Sequence, residues 1–89
     1  MQSTIIVNVY CAFRYGDEQP EYDHLGVASN RENAAKMIDL HRSIKHFSDE
    51  EAPLYTGSRL DWSEMYIPDV EQRAYILETS RVDFLEVGR

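Results

Sequence analysis

Between Tyr22 and Ile44 a short apolar strand runs directly into an amphipathic helix, and that junction constrains the fold more than any other stretch. Leu25 and Val27 alternate with polar or small neighbours, the period-two pattern of a strand with one buried face. Ser29-Asn30-Arg31-Glu32 then has the form of a capping box, in which the Ser29 hydroxyl accepts from the Glu32 amide while the Glu32 carboxylate reaches back. Beyond it Ala34, Met37, Ile38, His41 and Ile44 recur at helical spacing with Leu40 at the flank. A helix is therefore predicted from Asn30 to about Lys45, with that stripe facing the core.

A second strand is read from Thr4 to Arg14, where Ile5, Val7, Val9, Cys11 and Phe13 share one face and β-branched and aromatic types dominate. Tyr15 to Glu21, with Gly16 and Pro20, reads as an acidic loop into the strand at Tyr22 to Ala28, which makes an antiparallel hairpin. After Phe47 the pattern weakens. Ser48-Asp49-Glu50-Glu51 can begin a helical turn, but Pro53 stops it. Two readings compete further on: strands at Glu64 to Ile67 and Ala74 to about Val82 around Pro68-Asp69, or a helix from Asp69 with Val70, Ala74 and Leu77 on one face. Arg81 breaks that helical stripe, while Val82 and Phe84 suit a strand. The predicted fold is α+β, an antiparallel sheet of the N-terminal hairpin plus a C-terminal strand or hairpin, with one main amphipathic helix packed on one face.

Eighty-nine residues make a single domain, since a chain of this size buries roughly two-thirds of its unfolded surface and cannot divide its core. Dimerisation would enlarge such a core, and a homodimer is left open. Sixteen acidic against nine basic residues leave a formal charge of −7, which repels phosphate backbones and argues against direct nucleic-acid binding. A basic protein surface that normally holds nucleic acid would attract the chain. The single Cys11 excludes an intramolecular disulfide and suits a reducing compartment. The run from Ile5 to Phe13 lacks a basic leader and is interrupted by Asn8, so no signal peptide or membrane span is expected and the cytoplasm is the expected compartment.

The residues that carry chemistry do not assemble into a recognisable motif. His41 and His46 are five apart and diverge on a helix, and no second cysteine offers a ligand pair, so neither metal nor cofactor is expected. Carboxylates crowd at Asp17-Glu18, at Glu21 and Asp23, and at Asp49-Glu50-Glu51, in loops rather than in the contrasting environments that acid–base catalysis needs. No nucleophile elbow and no phosphate-cradling glycine motif is present, and the chain is read as a non-enzyme. The segment from Leu54 to Ile67 carries Tyr55, Trp62, Met65 and Tyr66, residue types that dominate binding hot spots; the favoured reading is that they cover the open face of a small sheet, and some can serve both roles.

The order strand, loop, strand, then Leu25-Gly26-Val27-Ala28-Ser29 leading into Glu32-Asn33-Ala34-Ala35, with a late strand near Tyr75 to Val82, resembles small phage and prophage accessory proteins of ββαβ type. The likeness covers about half the chain. It implies an accessory or inhibitor protein, the anti-defence and anti-CRISPR class included, that binds a host protein in the host cytoplasm, and it carries no catalytic residue. The reading is an acidic protein-binding module that docks on and occludes a host protein such as a nucleic-acid-handling defence complex. Its candidate contacts are Tyr55, Trp62, Met65, Tyr66, Glu18, Glu21, Asp49, Glu50 and Glu51. The alternatives are a small ligand-binding or enzymatic domain with a pocket between sheet and helix, using His41 or His24 with a loop carboxylate, and a self-associating structural subunit.

Overall fold

The computed structural model describes residues 3–65 and 70–83. Their elements run β1 (Ser3–Tyr15), β2 (Glu21–Ala28), α1 (Arg31–Lys45), β3 (Leu54–Thr56), α2 (Arg59–Glu64) and β4 (Glu71–Asp83). The strands form one sheet in the order β2-β1-β4-β3, with β1 antiparallel to both neighbours and the short β3 parallel to β4. The fold is α+β, a mostly antiparallel sheet with one main helix against it, as the sequence predicts.

Register decides what each face buries. Val7, Val9 and Cys11 of β1 stand beside Ala28, Gly26 and Asp23 of β2, and beside Thr79, Leu77 and Tyr75 of β4. Alternation sends these side chains to the α1 face, where Ala34 and Ile38 of the helix close a core with Val7, Val9, Ala28, Ala52, Tyr75 and Leu77. Between Val9↔Gly26 and Tyr10↔His24 the register slips, leaving Leu25 as the extra residue of a bulge. Leu25 is thereby delivered to the helix side, against the same core. Gly26 beside it lets the Met37 methyl lie close over the strand, since a β-carbon there would sit 2.7 Å from Met37 Cε.

Three expectations are corrected. The cap of α1 is Asn30 rather than Ser29: Asn30 Oδ1 accepts from the Asn33 amide at 2.8 Å, and Ser29 only receives a bond from the Asn33 side chain at 3.2 Å. Reciprocal capping appears instead at the aborted turn, where the Ser48 amide donates to Glu51 Oε1 at 2.9 Å and the Glu51 amide to Ser48 Oγ at 3.1 Å. Ile44, assigned to the core stripe, is 63% exposed, because it lies with Leu40 on the flank of α1 rather than under it. Glu64 ends a helix rather than opening a strand, and the competing helix from Asp69 gives way to the strand expected at Ala74 to about Val82, which is found and runs over residues 71–83. Tyr66, Ile67, Pro68-Asp69 and Phe84 lie outside the described residues.

The opposite face carries the element that the sequence reading missed. Ser58 caps α2 by accepting from the Leu60 amide at 3.0 Å, and the six-residue helix lays Trp62 on Tyr10, Ala12, Ala74 and Ile76. At 1% exposure, Trp62 is core. The reading in which this segment covers the open face of the sheet therefore holds for Trp62, and its place among the candidate contacts is corrected, because the ring is spent on closing that face. Arg14, itself buried, lies over the Trp62 ring at 4.5 Å and donates to the Ser63 and Met65 carbonyls at 2.8 and 2.7 Å. A cation at a helix C-terminus satisfies carbonyls that have no partner within the helix.

Candidate functional site

Three positions bring the two acidic segments together. Phe13 sits in register with both Glu21 and Arg73, and the Arg73 guanidinium spans the gap between the Phe13 ring at 5.0 Å and the Phe47 ring at 4.9 Å. Phe47 directly precedes the turn at 48–51, so that turn and the 16–20 loop leave the sheet at the same end. The lengths require it: fifteen helical residues return roughly 22 Å, against roughly 26 Å for the eight residues of β2. Residues distant in sequence thus become one acidic end, in which Asp17, Glu18, Glu21, Asp23, Asp49, Glu50 and Glu51 are all exposed.

The carboxylates there differ in what holds them. Asp49 has Arg42 at 3.5 Å, and Glu51 is held below the usual carboxylate range by bonds from the Ser48 amide and then its hydroxyl. Among the described residues no cation stands within ion-pair distance of Glu18, Glu21 or Glu50. The charges of Glu18 and Glu50 are therefore directed to solvent and to whatever approaches, while Glu21 also borders the cavity that holds Lys45 and Arg73.

Of the candidates from the 54–67 segment that lie among the described residues, Met65 alone joins this end. Met65, 39% exposed, shares a cleft of about 240 Å³ with Arg14, Asp17, Glu18 and Pro20. Tyr55 is half-buried on β3 against the Trp62 cluster and away from the cleft. The nine candidate contacts therefore separate into an acidic end with Met65 beside it, a core residue in Trp62, a partly covered Tyr55, and Tyr66 outside the described residues.

The second cluster lies under α1. His41 Nδ1 meets the Tyr75 hydroxyl at 2.7 Å, and a cavity of about 160 Å³ opens there between Cys11, Phe13, Glu21, Asp23, His41, Lys45, Phe47 and Arg73. This is where sequence reading placed a pocket, and His24 is not part of it: it stacks on Tyr10 at 4.9 Å on the other face. Burial pushes the Tyr75 phenol up to about 12, with the Cys11 charge adding and Arg42 opposing. Burial, then Asp23, also raises the Cys11 thiol. Both groups are thus held in their protonated, unreactive forms. Among the described residues no three His, Cys, Asp or Glu side chains converge to hold a metal ion, and no helix is long and apolar enough to cross a membrane.

Set against protein-family models, curated proteins and solved structures, the chain matches none.

Proposed function

We propose that this protein is a binding module whose acidic end docks on a basic surface of a larger protein and covers it. The observation that carries the reading is the convergence of the 16–23 and 49–51 carboxylates on one end, with Glu18, Glu21 and Glu50 uncompensated and the Met65 cleft beside them. Clustered like charge costs folding stability through self-repulsion, and complementary charge on a partner removes that repulsion while speeding encounter. The basic surfaces that a −7 protein meets in a cell include those that hold nucleic acid, so occlusion of a nucleic-acid-handling protein follows, in keeping with the phage-accessory resemblance.

The test compares the wild type with a Glu18→Lys, Glu21→Lys, Glu50→Lys variant as immobilised baits in bacterial lysate at low and physiological salt. The reading expects a basic prey that the wild type retains, that salt weakens, and that the variant loses. The same prey on both baits overturns it. The His41 cavity supports a second reading, a small-ligand site between sheet and helix, and tight binding of a small molecule that shifts the His41 ring resonances would favour it over the first.

A further inference from the structure

Arg14 holds its guanidinium inside the molecule at 4% exposure, and two of its nitrogens are committed to the Ser63 and Met65 carbonyls. The third is not. Among the described residues Arg14 Nε, closed off from solvent, has no acceptor, and no carboxylate stands within ion-pair distance of the group. A buried donor left unpaired costs stability, more so on a charged group, and each such atom in a folded protein calls for an explanation. The same side chain lines the cleft of about 240 Å³ whose other walls include Asp17, Glu18, Pro20 and Met65. Gly16, at φ 61°, donates its N–H to the Val70 carbonyl at 2.9 Å, and Glu18 donates its own to the Tyr15 carbonyl at 3.1 Å. The turn that carries both carboxylates is thereby held in place beside the buried cation.

Those walls sort the ligands. A free anion suits Arg14 but is repelled by Asp17 and Glu18, while a bare amine suits the carboxylates but leaves Nε unpaired. One positive and two negative charges leave the cleft at −1, so its match carries +1 together with an acceptor oxygen. A lysine or arginine within a chain has both, a cationic head and its own neutral carbonyl. We propose that the acidic end docks by taking one basic residue of the partner into this cleft, its head on Asp17 and Glu18, its aliphatic stem along Pro20 and Met65, and its main-chain carbonyl accepting from Arg14 Nε. The inference rests on the docking proposed above, and it narrows the partner to one that presents a lysine or arginine on an extended segment, where the carbonyl is free. Nε is reached by displacing a wall, and Met65, unbranched and 39% exposed, is the one with room to swing. Pairing Nε stabilises the bound state alone, so the site favours a peptide residue over a diffusible cation.

The test titrates the isotope-labelled full chain with acetyl-glycyl-lysyl-glycine amide while the Arg14 Nε–H and Met65 methyl resonances are followed. The Nε–H proton is expected to move downfield, with the Met65 methyl shifting at the same saturation. The norleucine tripeptide lacks the charge, and an Asp17→Asn, Glu18→Gln variant with unchanged circular dichroism lacks its partners; each weakens binding about tenfold or more. Pentylamine, which has the charge but no carbonyl, moves the Met65 methyl and leaves the Nε–H in place. An Nε–H that stays put at saturation with the lysine tripeptide overturns the proposal, and so does equal binding of the norleucine form. If that happens while a prey is kept by wild type and lost by the Glu18→Lys, Glu21→Lys, Glu50→Lys bait, the acidic end still docks but inserts no residue. Tripeptide binding as expected without any such prey upholds the cleft as a basic-residue site and removes the covering of a larger protein.

Discussion

The two faces of the sheet are covered by opposite means. On one, a fifteen-residue helix spreads many modest aliphatic contacts over Val7, Val9, Ala34, Ile38 and Leu77. On the other, six residues suffice because a single indole fills the space and a buried guanidinium holds the helix end. An isolated helix of that length has no stability of its own. The α1 face is therefore redundant and the α2 face is concentrated, so damage to each should differ in size and reach.

The sharpest break in this contrast is Trp62→Ala, expected to cost about 3–5 kcal/mol in urea unfolding and to lower the melt of the whole domain. An unchanged melt would return Trp62 to the surface and dissolve the contrast. Next comes Arg14→Met, which keeps the stem over the indole but removes two charge-assisted bonds to the Ser63 and Met65 carbonyls. About 1.5–3 kcal/mol should be lost, with amide exchange in 59–65 accelerating more than in α1. Equal acceleration in both helices would show that α2 is not held locally.

The α1 face yields a pH signature instead. Tyr75 has its folded pKa raised to about 12, so its contribution is intact below its ordinary value near 10 and is lost as pH climbs from there through 12. Subtracting the absorbance titration of Tyr75→Phe from that of the wild type should leave a single step near 12, and a step near 10 would contradict the burial. Smaller still is the cap of α1. Asn30→Ala should cost about 1 kcal/mol and Ser29→Ala much less, and the reverse order would restore the capping box expected there.

What was legible in the sequence follows the same division. β1, β2 and α1 each repeat their pattern over enough residues for periodicity to show, so their bounds were read within a residue or two. α2 offers one buried residue in six and β3 only three residues, and neither length holds a period. Trp62 was visible as a bulky side chain, yet its burial depends on Arg14, nearly fifty positions earlier, and no local pattern announces such a partner. The shift from Ser29 to Asn30 was not legible because serine and asparagine are both favoured capping types and stand next to each other, so the sequence alone does not choose between them. The acidic residues were recognisable individually. Their meeting at one end was latent in the match between helix and strand length, a calculation that needs the register first.

The pairing of β1 with β4 governs how the chain can be assembled. Ser3 stands opposite Asp83, so the central pair of strands joins the earliest and latest described residues. Closing so long a loop is entropically slow, and β1 leaves the ribosome well before the strand that completes both of its faces. Until β4 arrives, Val9, Tyr10, Cys11 and Ala12 form an apolar strand with an unfilled inner edge. The interval between those two strands is when a chaperone would find this protein, and truncation before Glu71 would make that interval permanent.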